Sequence, residues 1–212
     1  MKDMQFDSFL DFLKANPCGK QIEVLIKLDF FSEFGKSGKL MQIFEFYQAR
    51  YDKDKFKKQI KKDKNPYPVE ILSKYSKETE KQFNITDEVG FCNEMLSTFE
   101  DKSLPVTDII SAQAEYLGYI EYTNPKAKGC FYVLDLDTKY SPKLTCYLLE
   151  TGETLTIKMT KSMYNSDLEN VIKPGHIIYG TIEHKYKRKK VGDEWIESDE
   201  TEPWFKTYRI LK

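Results

Sequence analysis

CFYVLDLD (130–137), KLTCYLLE (143–150), ETLTIKMT (153–160), HIIYGTIEHKYK (176–187) and WFKTYRIL (204–211) are five runs rich in β-branched and aromatic residues, separated by turn-forming ones. The third alternates cleanly and puts Leu155, Ile157 and Met159 on one face, the period of a half-buried strand. Thr151-Gly152 makes a tight turn before it, and Lys173-Pro174-Gly175 makes another before the fourth run. A short helical or irregular piece around Tyr164 to Val171 lies between the third and fourth, and residues 188–203 read as a charged hairpin loop between the fourth and fifth. Three strands, an insert and two further strands fit a five-stranded barrel of the OB type, although periodicity alone admits other small barrels.

Upstream of Asn124-Pro125 the pattern is helical. Phe6, Phe9, Leu10 and Leu13 recur at helical spacing, and Asn16-Pro17 ends that helix because proline disfavours the helical region for its predecessor. A second helix should hold Ile22, Leu25 and Ile26, and a third, after the Gly35–Gly38 turn, Leu40, Ile43, Phe44 and Tyr47. Arg50 to Lys64 carries eight Lys or Arg against three Asp, with Phe56 and Ile60 four residues apart, which predicts a helix with a positive, solvated outer face. Short helices should follow over 69–104, with Phe91, Met95, Leu96 and Phe99 as their buried stripe, until the Leu104-Pro105 break. The expected class is therefore α+β: a helical domain over 1–110, then an OB-type barrel with its lead-in helix over 111–212.

The 33 basic and 34 acidic side chains nearly cancel, and the formal net charge of -1 argues against binding by bulk charge while leaving room for a local basic groove. Cys18, Cys92, Cys130 and Cys146 form no C-x-x-C pair and read as reduced thiols, and His176 and His184 are too few and too far apart for a zinc framework. The start, MKDMQFDSFL, lacks the basic n-region and apolar stretch of a signal peptide, and no run approaches the roughly 18 to 20 apolar residues that cross a bilayer. A soluble, cytoplasmic chain without a membrane partner is expected.

Two stretches resemble the alpha subunit of bacterial DNA polymerase III, the family C replicative polymerases. The first runs from Leu25 to Gly35, where that family has a segment close to L-I-K-x-G-A-F-D-x-F-G; Leu25, Ile26, Lys27, Phe31, Phe34 and Gly35 match without a gap, while Asp29 replaces a glycine and Ser32 an aspartate. The second runs from Glu115 to Pro125, against E-x-L-G-F-Y-L-S-G-H-P; Glu115, Leu117, Gly118, Tyr119 and Pro125 match, while Thr123 and Asn124 stand for glycine and histidine. Cys130–Asp137, Thr154–Tyr164 and Val171–Gly180 follow the family's order through its OB domain, whereas residues 50–110 match loosely. The resemblance implies the region after the helix-hairpin-helix of such a subunit, from a divergent member of phage or other mobile-element origin. It also implies that the bond-making carboxylates lie in a palm domain outside this chain.

Nothing in the residues replaces those carboxylates. Asp135 and Asp137 are i, i+2 on a strand, and strand-end carboxylates of that kind cap turns more often than they hold metal. Gly35-Lys36-Ser37-Gly38 fails the spacing of a phosphate-binding loop, and no nucleophile motif is present. No cofactor, metal or catalytic residue is expected.

Binding of single-stranded nucleic acid needs cations along a groove and flat rings for bases. Lys185, Tyr186, Lys187, Arg188, Lys189 and Lys190 supply charge and a ring in the loop between the fourth and fifth strands; Lys158, Lys161 and Tyr164 follow the third strand; Trp195, Lys206 and Arg209 accompany the fifth. On an OB barrel the second and third strands and the loops 1-2 and 4-5 make the ligand face. Two alternatives stand beside this. Trp204 and Tyr208 fit equally as closure of the barrel core, and the acids Asp193, Glu194, Glu197, Asp199, Glu200 and Glu202 are placed to cancel the basic run. The expected function is a non-catalytic polymerase module touching single-stranded DNA, with the catalytic part of the polymerase or other replisome subunits as protein partners. A free-standing single-strand binder and a replisome interaction module are the competing expectations.

Overall fold

The computed structural model describes residues 6–16, 19–166, 171–192 and 194–211, and of Val191 and Trp195 the backbone alone. The expected break at Pro17, the thiol of Cys18, residues 167–170 of the 164–171 insert, Asp193 and the ring of Trp195 therefore lie outside the described residues. The fold mixes helix and strand around a closed five-stranded barrel, and the chain divides into two units, Met1–Pro105 and Val106–Lys212.

The first unit is not purely helical. Helix α1 (Phe9–Ala15) starts at Ser8, whose hydroxyl accepts the Asp11 N–H, and buries Phe9, Leu10 and Leu13. It is followed by α2 (Gly19–Lys27) and α3 (Ser37–Arg50). The link between α2 and α3 turns at Asp29, which adopts φ 61. Phe31 and Phe34 then meet Phe9 and Phe12, with ring centroids 4.9–6.1 Å apart.

Beyond α3 the expected basic helix over Arg50–Lys64 does not form. In its place stand the hairpin β1 (Tyr51–Asp52) with β2 (Lys55–Phe56), then β3 (Gln59–Lys61) and a 3₁₀ turn at Lys62–Lys64. Arg50 explains the difference. Its guanidinium is buried, donates to the carbonyls of Lys57 (2.6 Å) and Gln59 (3.2 Å), and lies 5.7 Å and 5.9 Å from the ring centroids of Phe56 and Tyr67. The chain folds back over this side chain, so Phe56 and Ile60 fall on different strands rather than on one helical face.

Further helices, α4 (Val69–Tyr75) and α5 (Glu88–Ser97), flank β4 (Ser76–Glu78) and β5 (Gln82–Ile85), and the three-stranded sheet has the order β3-β5-β4. Asp87 caps α5 by accepting the Gly90 N–H at 2.9 Å. The expected stripe holds for Phe91 and Met95, which are buried, with Leu96 and Phe99 packed against the same core.

The second unit opens with α6 (Val106–Ala112), which runs into a π-helical turn at Gln113–Leu117 and stops at Gly118 (φ 77). The division at Pro105 falls ahead of the boundary expected at 110 because α6 belongs to the barrel: Ile110 is fully buried with Tyr132, Tyr147 and Leu149 on the barrel wall.

The barrel consists of β6 (Cys130–Asp137), β7 (Lys143–Leu148), β8 (Thr154–Lys158), β9 (Ile177–Val191) and β10 (Glu194–Leu211), closed in the order β10-β8-β7-β6-β9, with the one-turn helix α7 (Lys161–Tyr164) between β8 and β9. Inward residues fill it: Phe131, Val133, Leu144, Cys146, Ile157, Met159, Ile172, Ile178 and Phe205.

Two bulges bend the strands around this core. One extra residue on β6 between Val133 and Asp135, and one on β10 between Phe205 and Thr207, switch which side chains face inward. That is why both Phe205 and Tyr208, three apart, contact the barrel core. Closure also requires Gly180, because a Cβ there would stand 2.6 Å from the Thr207 carbonyl oxygen.

The segment expected as a hairpin loop over 188–203 is instead ladder. β9 and β10 pair from Ile177↔Leu211 out to Val191↔Glu194, with a register shift between Glu197 and Thr201. The alternation of Lys and Arg with few apolar residues hid these strands, since an exposed ribbon has no buried face to write a period into the sequence.

Candidate nucleic-acid interface

Across the outside of the barrel the cross-strand register sets up one row: Asp137 opposite Lys143, Lys143 opposite Lys158, Lys158 opposite Trp204, and Trp204 opposite Glu183. Their sequence neighbours Leu144, Ile157 and Phe205 point inward, so the strand period turns this row out to solvent.

Trp204 occupies the centre of the row. The Lys185 ammonium lies 4.9 Å and the Lys158 ammonium 5.7 Å from its ring centroid. These lysines come from the strands on either side of β10. Glu202 completes the group: its carboxylate takes the Lys158 Nζ at 2.6 Å on Oε2 and 2.7 Å on Oε1, and Oε1 also accepts the indole N–H at 3.0 Å. Glu202 and Lys158 side chains are 17% and 27% exposed, which makes this the most sequestered ion pair of the barrel unit among the described residues.

A cleft of about 810 Å³ surrounds the ring, lined by Ser141 of the β6–β7 loop, Lys158, Lys185, Lys187, Glu202 and Trp204 among others. Tyr140, in the same loop, is 68% exposed, with the Lys139 ammonium 5.6 Å from its ring. That loop is shaped by Asp137, whose carboxylate accepts the Lys139 N–H at 2.9 Å, the turn-capping role expected for it. Among the described residues no group of three or more His, Cys, Asp and Glu is placed to hold a metal ion.

The site residues expected from sequence separate into three sets. Lys158, Lys185, Tyr186, Lys187, Arg188 and Lys189 line the cleft together. Lys190 is exposed further out, opposite Trp195. Lys161, Tyr164, Lys206 and Arg209 are absent from the cleft lining. Of these, Lys161 and Lys206 are exposed, Tyr164 packs against the barrel core, and Arg209 stacks 5.1 Å from the exposed ring of Tyr179. Trp204, considered as a core residue, is half-buried on the outer face, and its neighbour Phe205 fills the core instead. Glu202 was legible only as one acid of a cluster, and its singular position comes from the register of Glu202 with Lys185 and of Trp204 with Lys158.

Outside the cleft centre the basic arm is matched by the acidic arm. Lys187 and Lys189 pair with Glu200 at 2.8 Å and 3.8 Å, Arg188 with Glu197 at 3.3 Å, and Lys185 with Glu183 on its own strand at 3.0 Å. Exposed pairs of this kind are worth about 0–1 kcal/mol each, so they mute the field of the ribbon at little cost to exchange for another anion.

No family model matches the chain, and no curated protein or solved structure matches it either. No helix among the described residues is long and apolar enough to cross a membrane.

Proposed function

We propose that this chain is a non-catalytic module that holds single-stranded DNA on the outer face of an OB-type barrel, as the C-terminal region of a DNA polymerase III alpha subunit would during replication. The observation that carries the proposal is Trp204 between Lys158 and Lys185 in an open cleft bordered by Ser141 of the β6–β7 loop: a flat ring for a base with a cation on either side. The strand order supports it, because β8 and β10 meet in parallel and the ligand face of an OB barrel is made from its second and third strands with loops 1-2 and 4-5, here β7, β8, the Tyr140 loop and the long β9–β10 ribbon.

The polymerase resemblance gains physical sense from its glycines. Asp29, where the family has glycine, sits at φ 61, a conformation glycine takes freely and aspartate tolerates; Gly118 sits at φ 77; and Gly180 has no room for a side chain.

Fluorescence anisotropy of labelled oligo-dT against the full chain tests the proposal. Micromolar or tighter binding is expected at about 50 mM salt, falling with a log-log slope near -0.7 per phosphate neutralised. Absence of binding at low salt would overturn it. The same chain should incorporate no nucleotide on a primed template with magnesium.

A second reading, a protein-interaction module of a replisome, is favoured by the carboxylate partners of Lys185, Lys187, Arg188 and Lys189. It predicts capture of a replication subunit with no affinity for the oligonucleotide.

A further inference from the structure

A carboxylate in a groove meant for phosphates is a contradiction that needs a reason. Glu202 is sequestered, bridges Lys158 through both oxygens and takes the indole N–H of Trp204. Its position fixes the ring and consumes the charge of the lysine beside it. In the free protein, therefore, Lys158 is already paired, and the Lys158 and Lys185 ammonium groups already sit 5.7 Å and 4.9 Å from the ring centroid.

We infer that Glu202 is a built-in competitor for the incoming phosphate: a latch that keeps the Lys158–Trp204–Lys185 group closed until a phosphodiester takes the place of its carboxylate on Lys158. This rests on the proposed single-strand reading of the same site. The geometry favours exchange rather than simple addition. A phosphate oxygen and a carboxylate oxygen approach an ammonium at the same distance, and Lys143, next to Lys158 across the β7–β8 ladder, supplies a second cation for the arriving anion. Asp137 faces Lys143 and Glu183 faces Trp204 across the same row, and Glu202 differs from both in sharing its carboxylate with Lys158 and the ring. The latch lowers affinity for every anion that has to displace the carboxylate from Lys158, and a ligand that brings a base to the ring together with a phosphate to the lysine recovers more of that cost. Free phosphate or a bare polyanion offers only half of that exchange.

The test compares Glu202→Gln with Glu153→Gln, an exposed acid at the far end of β8 that changes net charge equally. Glutamine keeps an oxygen for the indole N–H while surrendering the charge. Oligo-dT should bind E202Q roughly tenfold more tightly than wild type at about 50 mM salt, with E153Q close to wild type. Freeing one lysine adds one phosphate contact, so the advantage should shrink by about 2.6-fold on raising salt to about 200 mM, the effect of one further slope increment of 0.7. The gain should vanish in a Lys158→Met background, since there is then nothing to release. Heparin, a polyanion without bases, should gain as much from E202Q as oligo-dT does, since the competing carboxylate is removed for both.

If wild type binds and E202Q binds equally or more weakly with an unchanged thermal transition, the latch is wrong and the binding face stands. If E153Q gains as much as E202Q, the effect is bulk charge and the latch is again wrong. If neither wild type nor E202Q binds, both the latch and the single-strand reading fall.

Discussion

Trp204 and Lys158 are partners in the parallel contact that closes the barrel, the one register pair joining β10 to β8 among the described residues. A closing contact normally serves the core, and here the core side is served by Phe205 and Ile157 while the same two positions turn a ring and a cation outward. The seam of the barrel and the candidate binding face are thus the same piece of backbone.

Removing the ring or the cation should be felt in binding with little effect on folding. Trp204→Ala is expected to weaken oligo-dT binding by about 1–3 kcal/mol, the usual worth of one stacked base. Lys158→Met should reduce affinity less, because its charge is already spent on Glu202. Isothermal titration of both variants, with thermal melts within a few degrees of wild type, checks this.

The seam also predicts a sharp steric cost. Gly180→Ala places a Cβ against the Thr207 carbonyl and the Phe205 ring, 2.6 Å and 3.2 Å away. Backbone on one side and a fully packed ring on the other leave nothing flexible to give, so a loss of about 1–3 kcal/mol is expected in urea unfolding. Phe205→Ala should cost about 3–5 kcal/mol by emptying the same place.

Ribbon pairing should be insensitive to pH across the neutral range. The hydrogen bond and charge of Lys187, with Lys189, hold the Glu200 carboxyl below its ordinary 4.5, and Glu200 holds the Lys187 ammonium above its ordinary 10.5. A depressed carboxylate contributes stability that is present above its unfolded value and lost as pH falls through the lower folded one. A raised ammonium contributes stability that is present below its unfolded value and lost as pH rises through the higher folded one. Amide exchange over 185–191 and 194–203, corrected for intrinsic rates, should therefore be flat from about pH 5 to about pH 9 and accelerate in stronger acid. Glu200→Gln should abolish the acid step.

Thiol chemistry offers a check on the barrel interior. Burial pushes the Cys146 thiol up to about 12 and raises Cys130 as well, although Arg209 opposes the latter. At about pH 8 iodoacetamide should leave Cys146 unmodified in the folded chain, modify the half-buried Cys130 slowly, and reach both at once in urea. Peptide mass spectrometry reads the order.

Much of the barrel could be read without coordinates because a strand with one buried face writes a period of two: Ile157 and Met159, both fully buried, announced β8 and the turn after it, although Leu155 of the same stripe is exposed, and the Thr151-Gly152 and Lys173-Pro174-Gly175 turns bracketed the strands correctly. The helices with buried stripes were equally legible in Leu40, Ile43, Phe44 and Tyr47. The basic stretch after Arg50 was not, because two apolar residues four apart fit a helix as well as two strands, and the guanidinium that folds the chain back acts through carbonyls that carry no sequence identity.

Sequence by itself determined which segments would bury apolar surface, and so the helical beginning, the five strands and the supply of cations and rings near the fifth. Tertiary structure alone decided that Trp204 faces out and Phe205 in, and that Glu202, among several acids, is the one shared by Lys158 and the indole. The physical reason is register: a single-residue bulge after Phe205 and one parallel contact fix which side chains meet, and local composition leaves both unspecified.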